Sequence, residues 1–125
     1  MKNTMVRYLN DYAIVIDKDN VFTLMYHQIE TIECDKPYIK VTLTDKSKYH
    51  FTSTIKDFNI HLPSYFELCN KSVLVNLLHI KEIRKTDNGF ELVINERTIH
   101  LSRRKIKLIK TKFIEFGVNN LIEIG

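Results

Sequence analysis

The sequence predicts a mainly β fold: antiparallel sheets with one short inserted helix and a C-terminal helical segment. Three observations carry that prediction. Short apolar runs recur at intervals of about eight to twelve residues with turn residues between them, the rhythm of antiparallel strands. The composition has 3 Gly, 2 Pro and no Trp against 7 Phe and 6 Tyr, which suits strands better than loops. No Gly-rich βαβ fingerprint occurs, so a doubly wound parallel sheet is not expected.

Residues 1–10 read as a tail holding at most a helical turn. Tyr12–Ile16 is a strand, Asp17-Lys18-Asp19-Asn20 a turn, and Val21–Met25 the returning strand. Ile29–Glu33 alternates weakly and runs into the polar loop Cys34-Asp35-Lys36-Pro37. In Tyr38–Leu43 the residues Ile39, Val41 and Leu43 share one face, and Thr44–Ser47 turns this strand into Lys48–Thr52. The period then changes. Ile55, Phe58 and Leu62 recur at helical spacing, Thr54 is placed to cap, Asp57 sits in the first turn and Pro63 ends the segment, so a short helix is predicted over 55–62.

Further on, Val73–Asn76 is a short apolar strand, Leu77-Leu78-His79 a link, and Ile80–Arg84 a strand. Asp87-Asn88-Gly89 predicts a type I′ hairpin turn into Phe90–Ile94, and Asn95-Glu96-Arg97 joins that strand to Thr98–Leu101. Ser102 is expected to cap a final helix with Ile106, Ile109, Phe113 and Phe116 on one side, stopped at Gly117. The total is nine strands and two helices. The predicted organisation is a tail over 1–11, one domain over 12–116 and a second tail over 117–125.

At 125 residues the chain can bury one core, and an apolar fraction of 44% excludes wholesale disorder. No apolar run approaches the length of about 18 residues that spans a membrane. The N-terminus lacks an apolar signal-peptide core, so a cytoplasmic protein is expected. Cys34 and Cys69 are too few and too far apart for a disulfide framework and are expected to be free thiols. The net charge of +4 is unevenly placed: residues 1–62 hold eight Lys/Arg and eight Asp/Glu, residues 63–125 eleven against seven. Ser102–Lys112 alone carries Arg103, Arg104, Lys105, Lys107, Lys110 and Lys112 with no acid. Such a stripe is either a surface for a polyanion or a solvated helix face.

Catalytic signatures are missing. There is no Gly-x-Ser-x-Gly elbow, P-loop or His-Glu-x-x-His, and no pair of carboxylates stands out as acid and base, so the chain is read as a non-enzyme. The five histidines are scattered and neither Cys has a partner at ligand spacing; no metal and no cofactor are expected. Cys69 beside Lys71 is either a thiol of lowered pKa or a packed strand residue.

One stretch stands apart. Phe66–Asn76 begins as the end of one element and finishes as an apolar strand closed by Asn, with Asn70-Lys71-Ser72 putting a cation at its polar middle. Phe66-Glu67-Leu68-Cys69-Asn70-Lys71-Ser72-Val73-Leu74-Val75-Asn76 with Ile80 resembles the central signature of LytTR DNA-binding domains. That signature has an aromatic, then Arg, His and a basic residue, then Ser, a short apolar strand, Asn and a closing Ile. Three more stretches agree in order and spacing: Ile29–Glu33 with Tyr38–Val41, Thr54–Phe58 with Leu62-Pro63, and Leu101-Ser102-Arg103-Arg104. The resemblance runs from Tyr12 to Lys112.

What the resemblance implies is an elongated all-β fold that reads DNA with loops in successive major grooves. Carried over by position, Tyr38 occupies the first reading loop, Lys71 with Asn70 beside it the second, and Arg104 the start of the C-terminal segment. Thr54 and Ser72 match positions suited to phosphate, and Lys36 and Arg103 complete the candidate DNA-binding set. Two positions depart from the pattern: Leu68 stands for Arg and is expected to face the core, and Asn70 stands for His and suits an adenine edge. The expected function is a bacterial transcriptional regulator without a receiver domain. It would bind repeated half-sites of double-stranded DNA as two copies, a dimer on DNA, and take its signal from a partner protein or from its own abundance. The alternative is a protein-interaction module whose basic C-terminal face meets an acidic partner. A third idea is redox control through Cys34 or Cys69.

Overall fold

The computed structural model describes residues 4–124. Eleven strands and two helices follow in the order β1 (Thr4–Tyr8), β2 (Tyr12–Asp17), β3 (Asn20–Met25), β4 (Ile29–Asp35), β5 (Tyr38–Leu43), β6 (Lys48–Thr52), α1 (Ile55–His61), β7 (Phe66–Asn70), β8 (Val73–Asn76), β9 (Ile80–Thr86), β10 (Gly89–Ile94), β11 (Arg97–Leu101) and α2 (Ile106–Ile124). They build an N-terminal sheet β1-β2-β3, a central sheet β6-β5-β4-β8-β7 and a C-terminal sheet β11-β10-β9, every pairing antiparallel. The mainly β expectation is met.

The central sheet is covered on both sides, and the alternation of side chains in its strands explains how. Ile32, Ile39, Val41, Phe51 and Leu74 join Ala13, Val15 and Leu24 of the N-terminal sheet and Phe58 of α1 in one core. From the other face, Val73 and Val75 join Leu92, Ile94, Ile99 and Leu101 of the C-terminal sheet and Ile109 of α2 in a second. Consecutive residues of a strand point to opposite faces, so the four-residue β8 feeds both cores and every residue of it is buried. Leu68 packs against the first core, as expected.

Four local expectations are corrected. Residues 4–8 form the edge strand β1 instead of a helical turn: Val6 and Tyr8 point inward while Met5 and Arg7 point out. A five-residue period of two is too short to distinguish from a tail by sequence, and the tertiary contact decides it. The Tyr8 hydroxyl donates to Asp57 Oδ2 at 2.8 Å, and its ring meets Phe58 edge-on. Phe66–Asn70 is a second added strand, β7; a bulge leaves Cys69 between the pairs Leu68↔Leu74 and Asn70↔Val73, which breaks the alternation a sequence search relies on.

At the β9–β10 turn, Thr86 pairs with Gly89 and positive φ falls on Gly89 alone (+131°), so no type I′ turn forms. Instead the Thr86 hydroxyl holds the loop, accepting from Asn88 N and donating to Gly89 O, each at 3.3 Å. Finally, Ser102 makes no side-chain cap: a 3-10 turn, Arg103–Lys105, comes first and α2 then runs through Gly117 to Ile124. One glycine costs a helix about 1 kcal/mol, too little to end it. Thr54 does cap α1, its hydroxyl oxygen accepting from Asp57 N at 3.1 Å.

Glu67 of β7 clamps α2 to the central sheet, accepting from Lys105 at 3.1 Å and Lys112 at 2.9 Å. Burial acts to raise its pKa, but the hydrogen bonds and charges of Lys112 and Lys105 prevail and hold the carboxyl below its ordinary 4.5. A carboxyl depressed in the folded state adds stability above the unfolded pKa and loses it as pH falls through the folded one. Glu67→Gln should therefore cost about 1 kcal/mol at neutral pH, the size of a partly screened pair. Urea titrations should show that deficit shrinking well below pH 4.5, and a deficit constant with pH would refute the assignment.

Candidate nucleic-acid interface

Register brings the separated sequence candidates to one end of the central sheet. Asp35 pairs with Tyr38 across the β4–β5 turn, and Tyr38 with Thr52 at the end of β6, two residues before Thr54. Glu33 and Asn70 both pair with Val73, so the β7–β8 turn lies beside the β4–β5 turn. Cys34 N–H donates to Ser72 O at 2.8 Å and ties the two together. Ser102 N–H donates to Cys69 O at 2.8 Å, which brings the Arg103–Arg104 segment to the same end. Lys36, Tyr38, Thr54, Asn70, Lys71, Ser72, Arg103 and Arg104 are thus gathered from across the chain.

The turn that displays Lys71 is built by Asn70. Its Oδ1 accepts from Ser72 N and its Nδ2 donates to His100 O, both at 2.8 Å. One side chain thereby closes the turn and joins it to β11. This employs the Asn70 amide as a brace, a different role from free reading of an adenine edge. Lys71 is exposed, and Ser72 donates no hydroxyl hydrogen bond within its turn among the described residues. Tyr38 faces outward at 48% exposure instead of packing in the strand. Thr54 keeps its hydroxyl hydrogen free to donate, since the cap uses only the oxygen. The Lys36–Pro37 peptide is cis.

Ion pairing splits the basic C-terminal stripe. Lys105 and Lys112 are taken up by Glu67, and Lys110 sits 4.5 Å over the Phe90 ring. Among the described residues Lys36, Lys71, Arg103, Arg104 and Lys107 form no ion pair, and all five are exposed. The unneutralised charge of this region therefore concentrates at the sheet end.

Two residues of this end have no signal in the sequence. His50 Nε2 lies 3.1 Å from Asp35 Oδ2, and its ring stands edge-on to Tyr38 at 6.5 Å between centroids. The pair holds the carboxylate beside the first loop, but it forms across strands β4 and β6, which are not neighbours, so spacing could not have found it.

Cys69 is fully buried, and burial pushes its thiol up to about 12, so the lowered-pKa alternative is overturned. Cys34 is half-buried and also free. Among the described residues no three His, Cys, Asp or Glu side chains cluster as metal ligands would, and no helix is long and apolar enough to cross a membrane.

A family model described as the LytTr DNA-binding domain matches residues 19–114. The match begins after β2, so β1 and β2 lie outside it. A solved structure, the LytTr DNA-binding domain of a Bacillus cereus protein described as a methyl-accepting/DNA response regulator, superposes with a TM-score of 0.68 at 18% identity. That likeness, one of fold, covers 82% of this chain and 95% of the other. No curated protein sequence matches the chain.

Proposed function

The chain belongs to the LytTR DNA-binding domain family, and on that premise we propose that it reads double-stranded DNA with the loops at one end of its central sheet and thereby regulates transcription in the bacterial cytoplasm. The observation that carries this reading is the gathering of Lys36, Lys71, Arg103 and Arg104, none of them ion-paired among the described residues, around Tyr38, Ser72 and Thr54. Tyr38, Lys71 and Arg104 are the base-facing side chains. Arg104 can grip a guanine through two hydrogen bonds, and Lys71 offers a point charge to guanine or phosphate. Ser72, Thr54, Lys36 and Arg103 hold phosphates, and Asn70 positions Lys71.

The dimensions support contact with more than one groove. From Tyr38 on β5 to Asn70 on β7 the row crosses three strand spacings in the order β5-β4-β8-β7, roughly 14 Å, and the step to the C-terminal sheet adds about 10 Å. One turn of duplex is about 34 Å, with a major groove about 12 Å wide. A row near 25 Å long, lengthened at both ends by Tyr38 and Arg104, suits successive major grooves with the backbone between them. Two copies on repeated half-sites is the proposed assembly. A docking face for an acidic protein fits less well, because Glu67 already neutralises two cations of the basic stripe, Lys105 and Lys112.

Selection of bound duplexes from a random pool tests this reading. The expected product is a motif repeated at fixed spacing, with log affinity falling against log salt by roughly 0.9 per phosphate neutralised. Retention of no duplex at low salt, or of all duplexes equally, would refute it.

A further inference from the structure

Away from the DNA-facing end, a cavity of about 280 Å³ opens where the face of β4, β5 and β6 meets the β10–β11 turn. Its size is at the lower end for small-molecule sites, enough for a small metabolite. On its lining Glu30 is only 3% exposed and Thr42 only 5%. Neither Glu30 Oε2 nor Thr42 Oγ1 has a hydrogen-bond partner among the described residues. Buried polar atoms without partners are costly, so these two call for a donor from outside the chain.

The backbone places Glu30 there by a specific device. Pairing of β4 with β5 skips it, from Ile29↔Leu43 to Thr31↔Thr42, so Glu30 is the extra residue of a bulge. Bulges re-aim side chains and recur beside functional sites. Burial, opposed by the charges of Arg97, His79 and Lys46, raises the pKa of the carboxyl, as expected for an acid held without a close partner.

The wall has the opposite character. Lys48 stands directly across from Thr42 in the β5–β6 register and forms no ion pair among the described residues. The neighbouring cations are already engaged: Lys40 and Arg97 with Glu33 at 3.6 and 3.2 Å, and Lys46 with Glu96 at 2.9 Å. What the cavity leaves open is therefore one acid with a hydroxyl on its floor and one ammonium on its wall. A phosphate would press its charge on Glu30. A metal ion would find a single carboxylate not already paired, since Glu96 is held by Lys46 and no three-ligand cluster exists among the described residues. A molecule with a cationic donor at one end and an anion a few bonds away meets both needs.

We propose that this cavity binds a free α-amino acid, with its ammonium group on Glu30 and Thr42 and its carboxylate on Lys48. The site stands apart from the proposed DNA-reading loops, so its failure would leave that function untouched.

The test is NMR titration of the 15N-labelled chain with each common amino acid in turn, with acetate and methylammonium as half-ligand controls. The expected result is saturable shifts at Glu30, Thr42 and Lys48 with at least one amino acid. Either half-ligand should bind at least tenfold more weakly, and Glu30→Gln and Lys48→Met should each weaken binding by tenfold or more. Lys48 is exposed on an edge strand, so Lys48→Met keeps the test decisive if Glu30→Gln perturbs folding. No saturable shift with any amino acid would overturn the proposal, as would acetate binding equally well or Lys48→Met binding like the parent.

Discussion

Arg104→Ala should weaken binding to a selected duplex by about 1–3 kcal/mol and relax base preference at one position of the site. The side chain is exposed on the 3-10 turn before α2 and forms no ion pair among the described residues, so nothing in the fold depends on it. Stability should stay within about 0.5 kcal/mol of the parent, as for a surface substitution. Arg104→Lys separates charge from geometry: it keeps the cation but loses the planar fork, so affinity should fall part of the way while base preference relaxes as fully as with alanine. Lys107→Ala, which removes an exposed cation one helical turn along, should lower affinity for all duplexes alike. Fluorescence anisotropy against cognate and scrambled duplexes distinguishes these outcomes. Parent-like affinity and preference in Arg104→Ala would remove Arg104 from the base-facing set.

The largest stability effect is expected at Asn76, the residue that closes β8. It is fully buried, and its Nδ2 donates to Ile29 O at 2.9 Å and Tyr26 O at 3.3 Å while its Oδ1 accepts from Leu78 N at 2.9 Å. One side chain thus satisfies three backbone groups at the passage from β3 into β4 and from β8 into β9. Asn76→Ala leaves Ile29 O and Leu78 N without this partner, while Tyr26 O keeps its bond from Ile29 N–H. Each hydrogen bond contributes about 1 kcal/mol net, and each orphaned buried group costs about 1–3 kcal/mol; with some relaxation and water entry the total should be about 3 kcal/mol. Urea unfolding should show a lower midpoint at unchanged slope. A loss below about 1 kcal/mol would mean that the three contacts are not coupled as drawn.

The strands β2 to β6 and β9 to β11 were legible because each alternates over enough residues to define a face, and α1 because its cap, period and stop all agree. β1 and β7 were not, the first for its brevity and the second for its bulge at Cys69. The I′ turn and the Gly117 stop failed for a common reason. Each rested on a single residue's preference, worth about 1 kcal/mol, which a threonine side chain or the continuing helix outweighs.

For the site, Tyr38, Asn70, Lys71, Ser72, Arg103 and Arg104 became candidates because they fall in runs that resemble the family's in order and spacing. The three-dimensional structure adds which of their polar groups are already engaged by the fold. A carboxyamide looks the same in sequence whether it faces a ligand or braces a turn, and only the contact with His100 O assigns Asn70 to bracing. The basic run from Ser102 to Lys112 likewise reads as uniform, yet Glu67 from a distant strand withdraws two of its charges. Local pattern records what each residue can do. Which residues remain free to do it depends on partners that only folding brings within a few ångströms.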